Sequence, residues 1–257
     1  MKRVLSVLFL GLLITAQATA QPPASPAGQT ADKPATAQNA PTTDQILDKY
    51  VQAVGGKAAI EKATSRVAKG TIEIPAAGLK GPIEIYSKAP DKSLFMLTIP
   101  GYGVTQVGYD GKTGWSQDPS TGMRDLSGDE LATLKRDADF YGTLKIKETF
   151  KAKYLGKEKV SGRDTHVLEL TPATGSPEKR YFDTETGLLS RIDVETDSPI
   201  GKIAVQVYLE DYREVDGVKM PFTVRRTSSA GDFTMKYDEV KNNVPIDDAK
   251  FAKPAGQ

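Results

Sequence analysis

One histidine and no cysteine limit the chemistry open to this 257-residue chain. A serine triad or a histidine metal site would have to use His166, and thiolate nucleophiles, iron–sulfur clusters and thiolate zinc sites are excluded. His166 is spaced by two residues from Leu168 and by four from Leu170, so the three share one face of a strand. This pattern favours a partly buried strand histidine with one hydrogen bond over a catalytic one. We therefore expect no enzymatic activity, no metal site and no cofactor.

Several short motifs resemble binding or catalytic signatures, but each departs from its pattern. Gly111-Lys112-Thr113 ends like a phosphate-binding loop, yet Gln106 stands where that motif requires glycine. Residues 176–179 and 112–114 match two elements of penicillin-recognising serine enzymes in reversed order. Residues 183–187 begin like a calcium loop, but the glycine comes one position early and no closing acid follows. We interpret these segments as hairpin turns and chance matches.

The first twenty residues predict export. Lys2 and Arg3 precede an apolar run over residues 4–14, and Ala18-Thr19-Ala20 fits a signal-peptide cleavage site. The apolar run is shorter than the roughly 20 residues that cross a bilayer. We expect a signal peptide over 1–20, a mature chain that starts near Gln21, no transmembrane segment after cleavage and a soluble periplasmic protein.

Composition predicts one folded domain behind a tether. Residues 21–43 consist largely of proline, alanine, threonine and glutamine, so they cannot bury a core, and we expect a disordered tether. The remaining residues, 44–257, can form one domain. Loss of Lys2 and Arg3 leaves 32 basic against 33 acidic residues. This near-neutral balance disfavours nucleic-acid binding.

Helical patterns occur at three places. Thr43 and Asp44 are candidate N-caps before an apolar stripe that ends at Gly55-Gly56, and a second short helix is predicted over 57–64. The sequence from Ser127 to Glu130 fits a capping box before Leu131, Leu134, Ala138 and Tyr141. Asp247-Asp248 is expected to cap a short C-terminal turn.

The rest of the chain has the period-two pattern of strands. The clearest alternation covers residues 203–210, 218–224 and 233–237, with an Asp216-Gly217 hairpin signal, and predicts an antiparallel meander with one apolar face. Further strands are predicted over 66–74, 82–88, 93–99, 104–109, 113–117, 150–160, 164–171, 179–182 and 188–194.

A sheet with helices on one side either closes a packed core or leaves a groove. In the groove alternative, Leu131 and Leu134 of the third helix face the apolar side of the sheet. The candidate ligand-binding residues are then Phe95, Leu97, Leu131, Leu134, Leu168, Val205, Val207, Phe222 and Met235.

Two passages resemble a known family. Residues 46–50 with Gly55-Gly56, and the closing segments 211–221, 240–247 and Phe251, are similar to the LolA/LolB-like periplasmic lipoprotein-carrier (outer-membrane lipoprotein-sorting) superfamily. The resemblance covers about residues 44–254. It implies a mainly β (α+β) fold: a strongly curved, half-closed antiparallel β-barrel with helices packed over a concave face that can receive acyl chains.

The resemblance predicts a non-enzymatic periplasmic binding protein. Such a protein would shelter a lipid or a lipoprotein acyl chain and act in outer-membrane lipoprotein sorting. The alternative is an envelope interaction or regulatory module with a packed, ligand-free core, which engages an envelope protein through a strand edge or the tether. A hydrolase with an unfamiliar site is a third hypothesis.

Overall fold

The computed structural model describes residues 40–198 and 201–254. The predicted signal peptide and the predicted tether up to residue 39 lie outside this part of the chain. Within it, no helix is long and apolar enough to span a membrane.

The described chain is mainly β, as predicted. The helices are α1 (Thr43–Ala53), α2 (Gly56–Lys62), α3 (Gly128–Ala138) and α4 (Ile146–Thr149). The strands are β1 (Ser65–Ile74), β2 (Leu79–Lys88), β3 (Lys92–Ile99), β4 (Gly103–Tyr109), β5 (Gly114–Asp118), β6 (Gly122–Asp125), β7 (Phe150–Val160), β8 (Arg163–Pro172), β9 (Glu178–Asp183), β10 (Leu189–Ser198), β11 (Gly201–Val215), β12 (Val218–Ser228) and β13 (Phe233–Asn242). Two 3₁₀ turns complete it, Pro75–Ala77 and Asp248–Phe251.

All 13 strands belong to one curved antiparallel sheet in the order β6-β5-β4-β3-β2-β1-β13-β12-β11-β10-β9-β8-β7. Two meanders, β1 to β6 and β7 to β13, are joined where β1 pairs with β13. The edge strands β6 and β7 do not pair with each other, so the sheet is open rather than closed into a barrel. We call the face that carries the helices the inner face.

The N-cap of helix α1 lies one residue before Thr43, the first of the two predicted caps. The cap is Thr42, whose hydroxyl accepts a bond from Gln45 N at 3.2 Å, while Gln45 Oε1 accepts one from Thr42 N at 2.9 Å. This reciprocal arrangement is a capping box. The helix then buries Ile46 and Leu47 on the inner face of the sheet.

Helix α3 exists as predicted, but its capping box does not form. Ser127 is the N-cap residue without a side-chain bond to the helix. The Glu130 carboxylate is instead engaged by both terminal nitrogens of Arg124 on β6. The helix also ends at Ala138, before Tyr141, because the Tyr141 hydroxyl donates to Ala63 O at 3.1 Å and holds this residue in the following turn.

The C-terminal segment packs on the outer face of the sheet. Phe251 is fully buried against Leu94 and Trp115, and Trp115 Nε1 donates to Phe251 O at 3.0 Å. Asp247 caps the short turn by accepting from Ala249 N at 2.9 Å, as the sequence predicts. The outer face of this half of the sheet therefore has its own small core.

The strand predictions hold in position, with differences in length. Strand β7 has the predicted bounds, and residues 203–209 alternate between the two faces as predicted. Strand β11 continues to Val215. Asp211 has a positive φ (53°) within it, but the register with β12 is the same before and after this residue. Strand β6 and helix α4 were not predicted; each has only four residues, too few to establish a period.

A groove between helix α3 and the sheet

A groove of about 300 Å³ separates helix α3 from the inner face of strands β2 to β6. Its apolar lining comes from both layers: Ile85, Phe95 and Val107 from the sheet, and Leu126 and Leu134 from the helix side. Ligand cavities in proteins commonly begin at about this volume and combine an apolar lining with a few polar groups. The groove therefore has the size and chemistry of a small ligand site.

The groove exists because the floor residues beneath α3 are small. Ser87 on β2 pairs with Ser93 on β3, and Ser116 on β5 pairs with Val107 on β4, which in turn pairs with Phe95. All three serines line the groove from the inner face. Short side chains cannot reach the helix above them. Helix α3 packs closely on Gly114, where a Cβ would lie 2.7 Å from Leu131 Cδ1.

One face of α3 forms the roof of the groove. Glu130, Thr133, Leu134 and Asp137 are spaced by three, one and three residues, which places them on one side of a helix. Leu134 supplies apolar surface, and the three polar residues flank it. The roof is thus amphipathic along its length.

Two carboxylates of the groove have strong partners. Glu130 is held by Arg124, and Asp118 accepts from Tyr102 Oη at 3.0 Å and from Thr105 Oγ1 at 2.9 Å. Buried carboxylates need such bonds to remain charged. These two groups therefore stabilise the walls: one joins β6 to α3, and the other ties β5 to β4.

Asp137 differs from the other two carboxylates of the groove. Its nearest cation among the described ion pairs is Arg136 Nε at 3.8 Å, and its side chain is 67% exposed. That exposed surface faces the groove and a second, more polar opening towards Arg180. Partial burial in this enclosed space raises the pKa of Asp137 to about 6. Arg136 and Arg180 oppose this shift in the pKa, and Glu178 adds to it.

The nine candidate ligand-binding residues occupy several sites. Phe95 and Leu134 line the groove, and Leu131 rests beside it on Gly114. Leu97 is fully buried in the core cluster of β1 to β3, and Met235 packs against that cluster. Whether these residues contact a ligand stays a prediction.

The remaining four candidates lie on the inner face of the other half of the sheet. Leu168 is fully buried beneath α1. Val205 and Val207 form a cluster with Ile203 and neighbouring residues. Phe222 is buried beneath the Arg213 guanidinium, whose centre lies 4.6 Å from the ring. These residues are on the predicted face but not in the groove.

His166 lies where the sequence predicts, on the inner face of β8. Its Nδ1 lies 3.2 Å from the Tyr154 hydroxyl, and burial lowers the pKa of the imidazole. It borders a different opening, beside the start of α1. Among the described residues, no group of three His, Asp or Glu side chains could hold a metal ion.

Sequence reasoning missed all of the polar lining and, of the apolar residues that the sheet contributes to the groove, found only Phe95. Ile85, Val107 and Ser116 all lie in predicted strands at period-two positions, which is a usable signal. Only the strand register, however, shows that they adjoin Phe95. Asp137 was missed because it lies off the apolar stripe of its helix.

No protein-family model matches this sequence, and no curated protein matches it either. Solved structures do match. A DUF1329 family protein from Desulfovibrio piger aligns with a TM-score of 0.58 at 18% identity, covering 81% of this chain and 96% of that one. A LolA superfamily protein from Nitrosomonas europaea aligns at 0.54 with 20% identity, covering 83% and 99%.

A third similar structure is a domain from Vibrio parahaemolyticus named for outer membrane lipoprotein sorting. It aligns with a TM-score of 0.51 at 12% identity, covering 80% of this chain and 97% of that one. Identities this low are evidence of shared fold only. The chain has a LolA-like fold, as the resemblance in its sequence indicates.

Proposed function

We propose that this protein is a non-enzymatic periplasmic binding protein that shelters an apolar moiety, a lipid or a lipoprotein acyl chain, as part of outer-membrane lipoprotein sorting. The observation that carries the proposal is the groove of about 300 Å³ with its apolar floor. The LolA-like fold, shared with a domain named for lipoprotein sorting, supports the same ligand class.

The physical basis is burial of an alkyl chain between two apolar surfaces. Each methylene removed from water contributes about 0.8 kcal/mol. Phe95 and Leu134 face the groove from opposite layers, so a chain between them would contact protein on both sides. About ten methylenes therefore supply the roughly 8 kcal/mol of micromolar binding, before ordering costs are subtracted.

The experiment is titration of the folded protein with a neutral apolar fluorophore, N-phenyl-1-naphthylamine, combined with mass spectrometry of lipids extracted from purified protein. We expect saturable binding and co-purified acyl lipid. Leu134→Ser should weaken probe binding by about 1–2 kcal/mol through lost apolar contact. Leu155→Ser, the same change on an exposed edge strand, should leave binding unchanged.

Absence of saturable binding in folded protein would reject the proposal. A hydrolytic activity that disappears in His166→Ala would instead support the hydrolase hypothesis. In our proposal His166 is structural, so this variant should bind the probe as the unmodified protein does.

Strand β7 favours the envelope-module alternative as a second candidate. It is an 11-residue sheet edge with Lys151 and Lys153 exposed and Leu155 40% exposed at a bulge. Lysines on an edge disfavour self-association. The same charges suit an acidic, extended segment of an envelope protein that adds a strand.

This second candidate has its own test. A synthetic peptide of alternating glutamate and valine should slow amide hydrogen exchange in β7, because new backbone hydrogen bonds would form along that edge. Lys151→Glu with Lys153→Glu should abolish the protection. Unchanged exchange in β7 at saturating peptide would reject this candidate without affecting the groove.

A further inference from the structure

The charged groups that line the groove are unbalanced. Asp118, Glu130 and Asp137 carry three carboxylates, whereas Arg124 is the one lining cation among the described residues. Arg124 is already bound through both terminal nitrogens to Glu130. The groove therefore presents an excess of negative charge to anything that enters it.

Asp137 is the carboxylate that can respond to a ligand. Asp118 is engaged by hydroxyl groups on the neighbouring strand, and Glu130 by Arg124. Among the described ion pairs, Asp137 has one long contact, with Arg136, the residue before it on α3, whose guanidinium also stacks 5.8 Å from the Phe150 ring. The Asp137 carboxylate thus stands at the end of the apolar groove with capacity for a further partner.

The groups that face Asp137 from β9 act in opposite directions: Arg180 favours its charged form and Glu178 disfavours it. Arg180 is the cation there, but it is paired with Glu178 and stacked 4.8 Å from the centre of the Phe150 ring. Glu178 itself faces Asp137 closely enough to disfavour its charged form. The lining of the second opening is balanced, with Lys135, Arg136 and Arg180 against Asp137, Asp139 and Glu148. The unbalanced negative charge therefore lies on the groove side of Asp137.

We propose that the groove selects a long-chain amphiphile whose polar end is cationic, and discriminates against carboxylate and phosphate head groups. The alkyl chain would lie between Phe95 and Leu134, with its ammonium group beside Asp137. This inference rests on the proposed function, since it assigns the ligand class of the same groove. It follows from charge complementarity: a cation gains from the field of the lining carboxylates, and an anion is repelled by it.

The test is displacement of N-phenyl-1-naphthylamine by three twelve-carbon ligands that differ only in the head group: dodecylamine, dodecanol and dodecanoate. At about pH 8 the amine is charged and Asp137 is ionised. We expect dodecylamine to displace the probe at a concentration at least tenfold below that of dodecanoate, a difference of about 1.4 kcal/mol. Dodecanol should lie between them.

Asp137→Asn isolates the head-group interaction. At about pH 8 it should bring the amine and carboxylate affinities together while leaving that of dodecanol unchanged. Asp129→Asn removes the same charge from the exposed first turn of α3 and should retain the full preference. Lowering the pH to about 5 should weaken dodecylamine relative to dodecanol, as Asp137→Asn does, because the raised pKa of Asp137, about 6, lets this carboxyl take up a proton.

The outcomes separate the two proposals. Dodecanoate that displaces the probe as well as dodecylamine does, or a preference that survives in Asp137→Asn, would overturn the head-group inference while leaving the groove as a lipid site. Failure of the probe itself and of all three ligands to bind would overturn both.

Discussion

Two helices cover the inner face of one sheet, and they leave different amounts of space beneath them. Under α1, Leu47, Leu168 and Leu170 are almost completely excluded from solvent. Under α3, the groove of about 300 Å³ remains. Both helices are amphipathic and eleven residues long, so helix length and pattern do not account for the difference.

The difference comes from side-chain size on the sheet. Beneath α1 the strands present Phe150, Leu168 and Phe182, which fill the space up to the helix except at its start, where the opening beside His166 lies. Beneath α3 they present Ser93 and Ser116 at equivalent inner-face positions. The alternation of apolar and polar residues thus determines which face of the sheet is the inner one. The volume of the side chains on that face determines whether it packs tightly against a helix or leaves a groove.

Truncating one leucine in each region should show the largest contrast. Leu168→Ala should lower the free energy of unfolding by about 2–5 kcal/mol, because it opens a cavity in a filled core. The Leu134 side chain already borders open space, so Leu134→Ala should lower the free energy of unfolding by only about 1–2 kcal/mol. Urea unfolding followed by the fluorescence of Trp115, the single tryptophan, measures both. Equal losses would mean that the two regions are packed alike.

Enlarging one residue in each region tests the same contrast in the opposite sense. Leu170→Phe should destabilise by about 1–3 kcal/mol because the core under α1 has no room. Ser116→Leu should change stability by less than about 1 kcal/mol and reduce probe binding at least tenfold, since it fills the groove. A large loss of stability in Ser116→Leu would contradict the presence of open space.

Two aspartates should give the regions opposite responses to pH. Arg163, with the backbone N–H groups of Thr186 and Glu185, holds the pKa of Asp183 well below its usual range, so its stabilisation is present above about pH 4 and is lost as the pH falls. Partial burial raises the pKa of Asp137 to about 6, so stability is lost as the pH rises from about 4 towards 6.

Neutral variants should separate these two effects. Asp183→Asn should cost about 1–3 kcal/mol at neutral pH and flatten the acid limb of the stability profile. Asp137→Asn should remove the loss between about pH 4 and 6 and leave the acid limb intact. Unfolding measured across this range checks both, and an identical profile for the two variants would refute the assignment.

The helix starts should show the smallest contrast. Thr42→Ala removes a formed capping box and should cost about 0.5–2 kcal/mol. Ser127→Ala removes a hydroxyl that makes no cap bond and should be nearly neutral. Urea unfolding of the two variants is the measurement. A cost for Ser127→Ala equal to that for Thr42→Ala would show that the sequence-based capping box does form.

The sequence predicts much of the fold and little of the site. Strand β7 has the predicted bounds and residues 203–209 the predicted faces, because a period of two depends only on neighbours along the chain. The capping box at Ser127 is wrong for the opposite reason. Its Glu130 is bound by Arg124 on an edge strand that four residues were too few to reveal.

The sequence by itself determines all the longer elements, the apolar face and the resemblance to a LolA-like fold, since all three depend on local spacing and residue type. Tertiary structure alone decides which small residues meet beneath which helix. Ser87, Ser93 and Ser116 come from three separate strands and become one floor only through cross-strand register. Likewise, Asp137 reaches the groove only because α3 seats its leucines on Gly114, whose missing side chain allows that approach.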